Sequence, residues 1–348
     1  MTANFNLRWL NVWVLSVILP MLLACAPAED VEKFSGYAQG TTYHISYVAV
    51  PGSAVPAVKK RVEDELVRLD QQISNYRSDS AIERFNANQT TEPQAVGEEI
   101  IALIKQARVV SEASSGCYDL TIKPLFDLWG FKADKLNIPD AQHLQTALQQ
   151  VGFKQLEIVD SSHISKKNPQ LRVDLGSIGQ GYSVGRLAGL LEQQGITSYL
   201  VEIGGELQTR GEKPGGKAWK VALEKPLPGE RTLQKIITIN RTEPMSVMTS
   251  GTYRHYFDAN GKRYSHILDA RTGSPVDHNT VSVTVFDANP TLADAWGTAL
   301  LCLGGSEAMA AANQAGIAAL FIEQQGDAFI EQASEPLQQL KDTVVIEK

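Results

Sequence analysis

Leu171-Arg172-Val173-Asp174-Leu175-Gly176-Ser177-Ile178-Gly179-Gln180-Gly181 is the stretch that decides how this chain is read. Its first five residues have strand character. Glycines follow, and then Val184, Leu187 and Leu191 recur at helical spacing. A strand that passes into a helix through glycines can offer backbone amides and a helix N-terminus to a phosphate. Gly-x-x-Gly-x-Gly is not the dinucleotide fingerprint, however, and a tight strand-to-helix turn explains this segment equally well. Asp174 is harder to account for, because a carboxylate ending an apolar strand needs a donor or a cation.

On the N-terminal side, Tyr43 to Val48 reads as a strand. Pro56 opens a helix with Val58, Val62, Leu66, Leu69 and Ile73 on one side. A second helix is expected from Val96 to Ser114, stopped by Gly116. On the C-terminal side, strands are expected at Ser198 to Ile203, Trp219 to Leu223, Lys235 to Ile239 and Thr280 to Phe286. Helices follow from Thr291 to Leu303 and into Ala315. There is no internal repeat and no low-complexity linker. Strands and helices mix without βαβ alternation, which predicts a single α+β domain.

The first 25 residues are of a different kind. Arg8 is their only charge, Trp9 to Leu19 is an apolar run, and Leu22-Leu23-Ala24-Cys25 closes the segment. This is the order of a secretory signal, and the run is short for a membrane span. The predicted organisation is a lipoprotein signal over 1–24, a lipidated Cys25 with a tether over 25–34, and one domain over 35–348. The net charge of −7 argues against a nucleic-acid partner. Cys117 and Cys302 are too few for a disulfide framework and read as two small buried thiols.

Two further clusters carry chemistry. Asp294 and Thr298 stand at i and i+4 of a predicted helix, so a carboxylate and a hydroxyl share a face. Such hard oxygens suit Mg²⁺, although an Asp near a helix start also complements the dipole. Thr249 to Arg254 and Tyr264 to Gly273 gather hydroxyls, two arginines, His266 and Asp269. Histidine moves protons near neutral pH, and arginine neutralises phosphate. His44, His143, His163, His255 and His278 lack such company and read as structural or exposed. Phosphoryl transfer follows from these clusters, but a substrate does not.

Taken in order, the segments resemble the ApbE family of FAD:protein FMN transferases (older name: thiamine biosynthesis lipoprotein). The resemblance runs through Gly40-Thr41-Thr42-Tyr43, Ser74-Asn75-Tyr76, Gly116 to Asp119 leading into Trp129-Gly130-Phe131, Asp174 to Tyr182, Ile203-Gly204-Gly205, Thr249-Ser250-Gly251, His266 to Gly273, and Asp294 with Thr298. Leu-Leu-Ala-Cys likewise resembles the bacterial lipobox.

The resemblance implies a T-fold-like domain that takes FAD as substrate and Mg²⁺ as cofactor. Gln39, Tyr76, Cys117, Tyr118, Asp119, Asp174, Gln180 and Leu268 match FAD-holding positions. Ser177, Asp294 and Thr298 match magnesium ligands, the first through its backbone carbonyl, and His266 matches the proton-transfer residue. Gln39 departs from a common Met, Ala270 from a common Pro, and Gln180 from Lys or Glu. Implied acceptors are subunits of sodium-pumping NADH:quinone reductase or Rnf complexes, with the anchor in the inner membrane on its periplasmic side. An FAD pyrophosphatase, and more distantly a non-catalytic flavin-binding lipoprotein, are the competing expectations.

Overall fold

A computed structural model describes residues 31–227, 229 and 232–347, together with Met1. The signal segment and Cys25 lie outside the described residues. The frame is an antiparallel eight-stranded sheet whose strands lie side by side in chain order. They are β1 (Val31–Ala38), β2 (Thr41–Val48), β3 (Tyr199–Ile203), β4 (Glu206–Arg210), β5 (Met245–Gly251), β6 (Thr280–Asp287), β7 (Ala318–Gln325) and β8 (Ala328–Ala333). β1 begins inside the stretch assigned to the tether and pairs with β2 along its whole length, Val31 opposite Val48.

Helices cover one face of the sheet. They are α1 (Val55–Ile73), α2 (Glu98–Ala113), α3 (Gly176–Glu192) and α4 (Pro290–Leu303). The five apolar positions expected along α1 are all buried. α4 lies on β5 and β6 and packs against α3. A three-stranded sheet (Trp219–Glu224, Leu233–Ile239, Val344–Glu347) closes the other face. Strand alternation sorts the side chains between the two layers. In β7, Ala319 and Phe321 join the helix-side core, while Ala318 and Leu320 join the opposite one. Burying a side chain the size of Phe321 or Leu320 contributes about 1.5–3 kcal/mol, so both faces hold the sheet.

The α+β expectation is met, and the decisive stretch corrects it in one respect. Leu171 to Leu175 is not a strand: it makes a single bridge, Arg172 to Ile122. Side chains take the place of a sheet neighbour. The amide of Val173 donates to Asn86 Oδ1 (2.7 Å) and that of Leu175 to Asn75 Oδ1 (2.6 Å). The carbonyl of Val173 accepts from both asparagine amides, at 2.9 and 2.8 Å. The glycines are not a loop either, because α3 starts at Gly176. Gly181 is needed for close packing instead. A Cβ there would lie 2.2 Å from the carbonyl oxygen of Pro290 and 2.6 Å from Cβ of Asp294.

Candidate active site

A cleft of about 360 Å³ opens over the start of α3, the middle of α4 and the end of β5. At its floor Asp294 is only 7 % exposed, and its Oδ2 accepts from the amide of Gly181 at 2.7 Å. Burial pushes this carboxyl up to about 7. Glu206, at the start of β4, is buried as well, and its Oε2 accepts from the amide of Thr249 at 2.9 Å. Burial, and then the Asp294 charge, push Glu206 well above the usual carboxylate range, which Arg254 only partly offsets. Thr298 Oγ1 lies 3.4 Å from Ser250 Oγ. Two buried carboxylates with hydroxyls beside them form a donor set that fits a hard divalent cation.

The amide of Gly181 is the helical partner of the Ser177 carbonyl, four residues back. The same amide donates to Asp294 Oδ2, which sets that carboxylate beside the first turn of α3, where Ser177 lies. The Ser177 hydroxyl donates to Tyr118 Oη at 3.3 Å. Asp174 accepts from the amide of Gly176 at 2.8 Å, and burial raises its carboxyl. The partner it lacked in the sequence is therefore a backbone amide, with the ammonium of Lys123 supplying a favourable field.

The turn after α2 forms another wall. Cys117 and Cys302 do not remain thiols: they are joined in a disulfide. Their spacing of 185 residues hid a Cα separation of 6.0 Å. Asp119 is committed to its own turn. Its carboxylate accepts from the amide and hydroxyl of Thr121 (2.8 and 2.7 Å) and from the amide of Phe153 (2.8 Å). Tyr118 is buried, which raises its phenol. Tyr76 stands exposed at the rim, while Gln180 and Leu268 line the cleft. Gln39 falls outside that lining and donates to Ser183 Oγ at 2.9 Å.

His266 also lines the cleft. Its Nδ1 lies 2.8 Å from the carbonyl oxygen of His255, which can only accept. Nδ1 therefore carries the proton and Nε2 keeps its lone pair. Burial lowers this histidine to about 4, so the ring is neutral at pH 7. Asp269 is no partner for it, because its carboxylate is taken by Arg271 at 2.8–3.1 Å. His255, expected to be structural or exposed, belongs to the same wall. Its ring stacks on His266 with centroids 5.8 Å apart, and it lines the cleft.

Sequence patterns did not single out Glu206, Lys123 or the role of His255. Lys123 is 3 % exposed and sits between Asp127 (3.4 Å) and Glu83 (3.8 Å). For Glu206 the one signal was its place directly after Gly204-Gly205, the turn that follows the strand expected at Ser198 to Ile203. Nothing local marked the other two.

A family model described as the ApbE family matches residues 39–321. An FAD:protein FMN transferase of Vibrio cholerae is 38% identical over 329 residues, covering 92% of this chain and 96% of that protein. One from Klebsiella pneumoniae is 36% identical over 309 residues, covering 87% of each. The apo flavinyl transferase ApbE of Pseudomonas stutzeri superposes with a TM-score of 0.82 at 37% identity, covering 90% of this chain and 97% of that one. The flavin transferase ApbE of Vibrio cholerae does so at 0.80 and 35%, covering 89% and 99%. The chain belongs to the ApbE family.

Proposed function

We propose that this chain is an FAD:protein FMN transferase that uses magnesium. It would join the FMN half of FAD to a Ser or Thr hydroxyl of a target protein and release AMP. The observation that carries this reading is Asp294, a buried carboxylate beside a second one, Glu206, at the floor of a cleft lined by hydroxyls. Asp294, Thr298 and the Ser177 carbonyl would hold Mg²⁺. When bound, magnesium supplies electrostatic stabilisation of the charge that develops on the departing phosphate.

The chain's own residues do the rest. Gln180, Asp174, Tyr76, Tyr118 and Leu268 are suited to orient FAD, with the Cys117–Asp119 turn as the wall behind it. The acceptor oxygen bonds to the FMN-side phosphorus as that phosphorus loses the bridging oxygen of the pyrophosphate, which departs as part of AMP. Nε2 of His266 takes the hydroxyl proton, because its neutral tautomer is held by the carbonyl of His255. Holding nucleophile and phosphorus in line supplies much of the rate.

Cys25 would carry the lipid that anchors the enzyme to the periplasmic side of the inner membrane. A disulfide is supported in that oxidising compartment. The acceptors would be flavoprotein subunits of sodium-pumping NADH:quinone reductase or Rnf type. The test is incubation with FAD, Mg²⁺ and such a subunit, followed by intact-mass analysis of both proteins. FMN on the acceptor is expected. Free FMN with an unmodified acceptor would favour the pyrophosphatase. Cys25→Ser should leave an unprocessed or soluble form, and unchanged fractionation together with an unmodified N-terminus in the wild type would refute the anchor.

A further inference from the structure

Asp294, Thr298 and Cys302 recur every four residues along α4 and so share one side of the helix. All three line the cleft. Cys302 is bonded to Cys117, which immediately precedes Tyr118 in the opposite wall. The ends of this link are themselves held. The amide of Cys117 donates to Ser114 O and its carbonyl accepts from the amide of Ala270, both at 3.1 Å. The carbonyl of Cys302 accepts from His278 Nε2 at 3.3 Å. His278 packs over Gly304, where a Cβ would lie 2.3 Å from its ring.

Among the described residues, this disulfide is the covalent tie between the Tyr118 turn and the helix that carries the buried carboxylate. A substrate the length of a dinucleotide must touch both walls at once, so a shift of one against the other misplaces its phosphates. A staple remote from the cleft would affect stability alone. This one lies within the lining, with Cys117 0 % and Cys302 3 % exposed, so its geometry is set by the same packing that shapes the cleft.

We propose that the Cys117–Cys302 disulfide is a positioning element that sets the Tyr118 turn against the Asp294 helix and makes productive FAD binding depend on the oxidised state. This rests on the transferase reading. A dithiol reductant breaks the link by passing two electrons and two protons to it. It leaves as a cyclic disulfide while Cys117 and Cys302 become thiols.

The experiment compares the oxidised protein, the dithiol-treated protein and Cys117→Ser/Cys302→Ser, all well below their melting temperatures. FMN transfer and flavin-fluorescence titration of FAD binding are measured in parallel, with Mg²⁺ present. The KM for FAD is expected to rise about tenfold on reduction while kcat changes less than threefold. The double variant should match the reduced protein and ignore the dithiol. Saturating FAD should shift the wild type's equilibrium with a dithiol redox buffer toward the disulfide, because binding and reduction oppose each other. Equal FAD affinity in the oxidised and reduced proteins, or the same disulfide fraction in the redox buffer with and without FAD, would overturn the proposal. If the oxidised protein binds FAD but transfers nothing, the transferase reading fails while the binding comparison still decides the role of the disulfide. If the double variant does not fold, the reduced wild type carries the comparison.

Discussion

The two faces of the eight-stranded sheet are both buried, yet they tolerate different chemistry. Toward the three-stranded sheet, Leu207, Val247, Phe286 and Leu320 meet Val221, Ile237 and Val344, and the polar side chains buried on that face are hydroxyls such as Thr209 and Thr284 rather than charges. Toward the helices, Val283, Val285 and Phe321 pack in the same way, but Glu206 and Asp294 are buried nearby with raised carboxyls. Glu206 and Leu207 are neighbours in β4, and the two-residue period sends one to each face. That face buries no charged side chain among the described residues. The other buries two carboxylates that backbone amides and Arg254 only partly offset, at a cost to stability, which is the mark of a site kept for binding or catalysis.

The sharpest way to break this comparison is Asp294→Asn, which keeps an oxygen for the Gly181 amide and removes the charge. Transfer should fall by roughly 10²–10³-fold or more, while the melting temperature in the presence of a chelator rises. A Mg²⁺ titration of FMN transfer, with calorimetry on the chelated protein, reads both effects. Retained activity with unchanged metal dependence would remove Asp294 from the site.

His266→Ala tests the proton acceptor. A fall in transfer of about 10²–10⁴-fold is expected, with FAD affinity within a few-fold of wild type by fluorescence titration. Because burial holds this ring at about 4, its neutral form survives mild acid, and no loss of transfer between pH 7 and 5 should trace to it. Full transfer in the variant would assign the proton to another group.

On the opposite face, Leu320→Ala should cost about 2–5 kcal/mol of stability. Its kcat/KM should stay within twofold of wild type at temperatures where both proteins are folded. A large loss of activity in the folded variant would erase the division between the faces.

The smallest effect expected is in the pH dependence of stability without metal. Asp294 binds its proton more tightly folded than unfolded, so its contribution is fully present below the ordinary aspartate range. It is lost as pH rises toward about 7. The melting temperature of the chelated wild type should therefore decline relative to Asp294→Asn over that window, and Mg²⁺ should restore it. Parallel curves for the two proteins would show that Asp294 titrates normally.

Periodicity and local chemistry by themselves determined a good part of this protein. α1 and α4 were legible because their apolar residues recur at helical spacing, and β6 because Val281, Val283 and Val285 alternate with hydroxyl residues at the two-residue period of a strand. Asp294 and Thr298 were placed together by the i, i+4 rule, which needs only a helix. The rest depended on partners distant in the chain. Leu171 to Leu175 has the composition of a strand, but Asn75 and Asn86 occupy its hydrogen bonds. Cys117 and Cys302 stand 185 residues apart, and only the packing of α4 beside the Tyr118 turn brings them within bonding reach. The raised carboxyls of Glu206 and Asp294 come from desolvation, with the Asp294 charge adding to it at Glu206, and both causes are properties of the folded interior rather than of the chain.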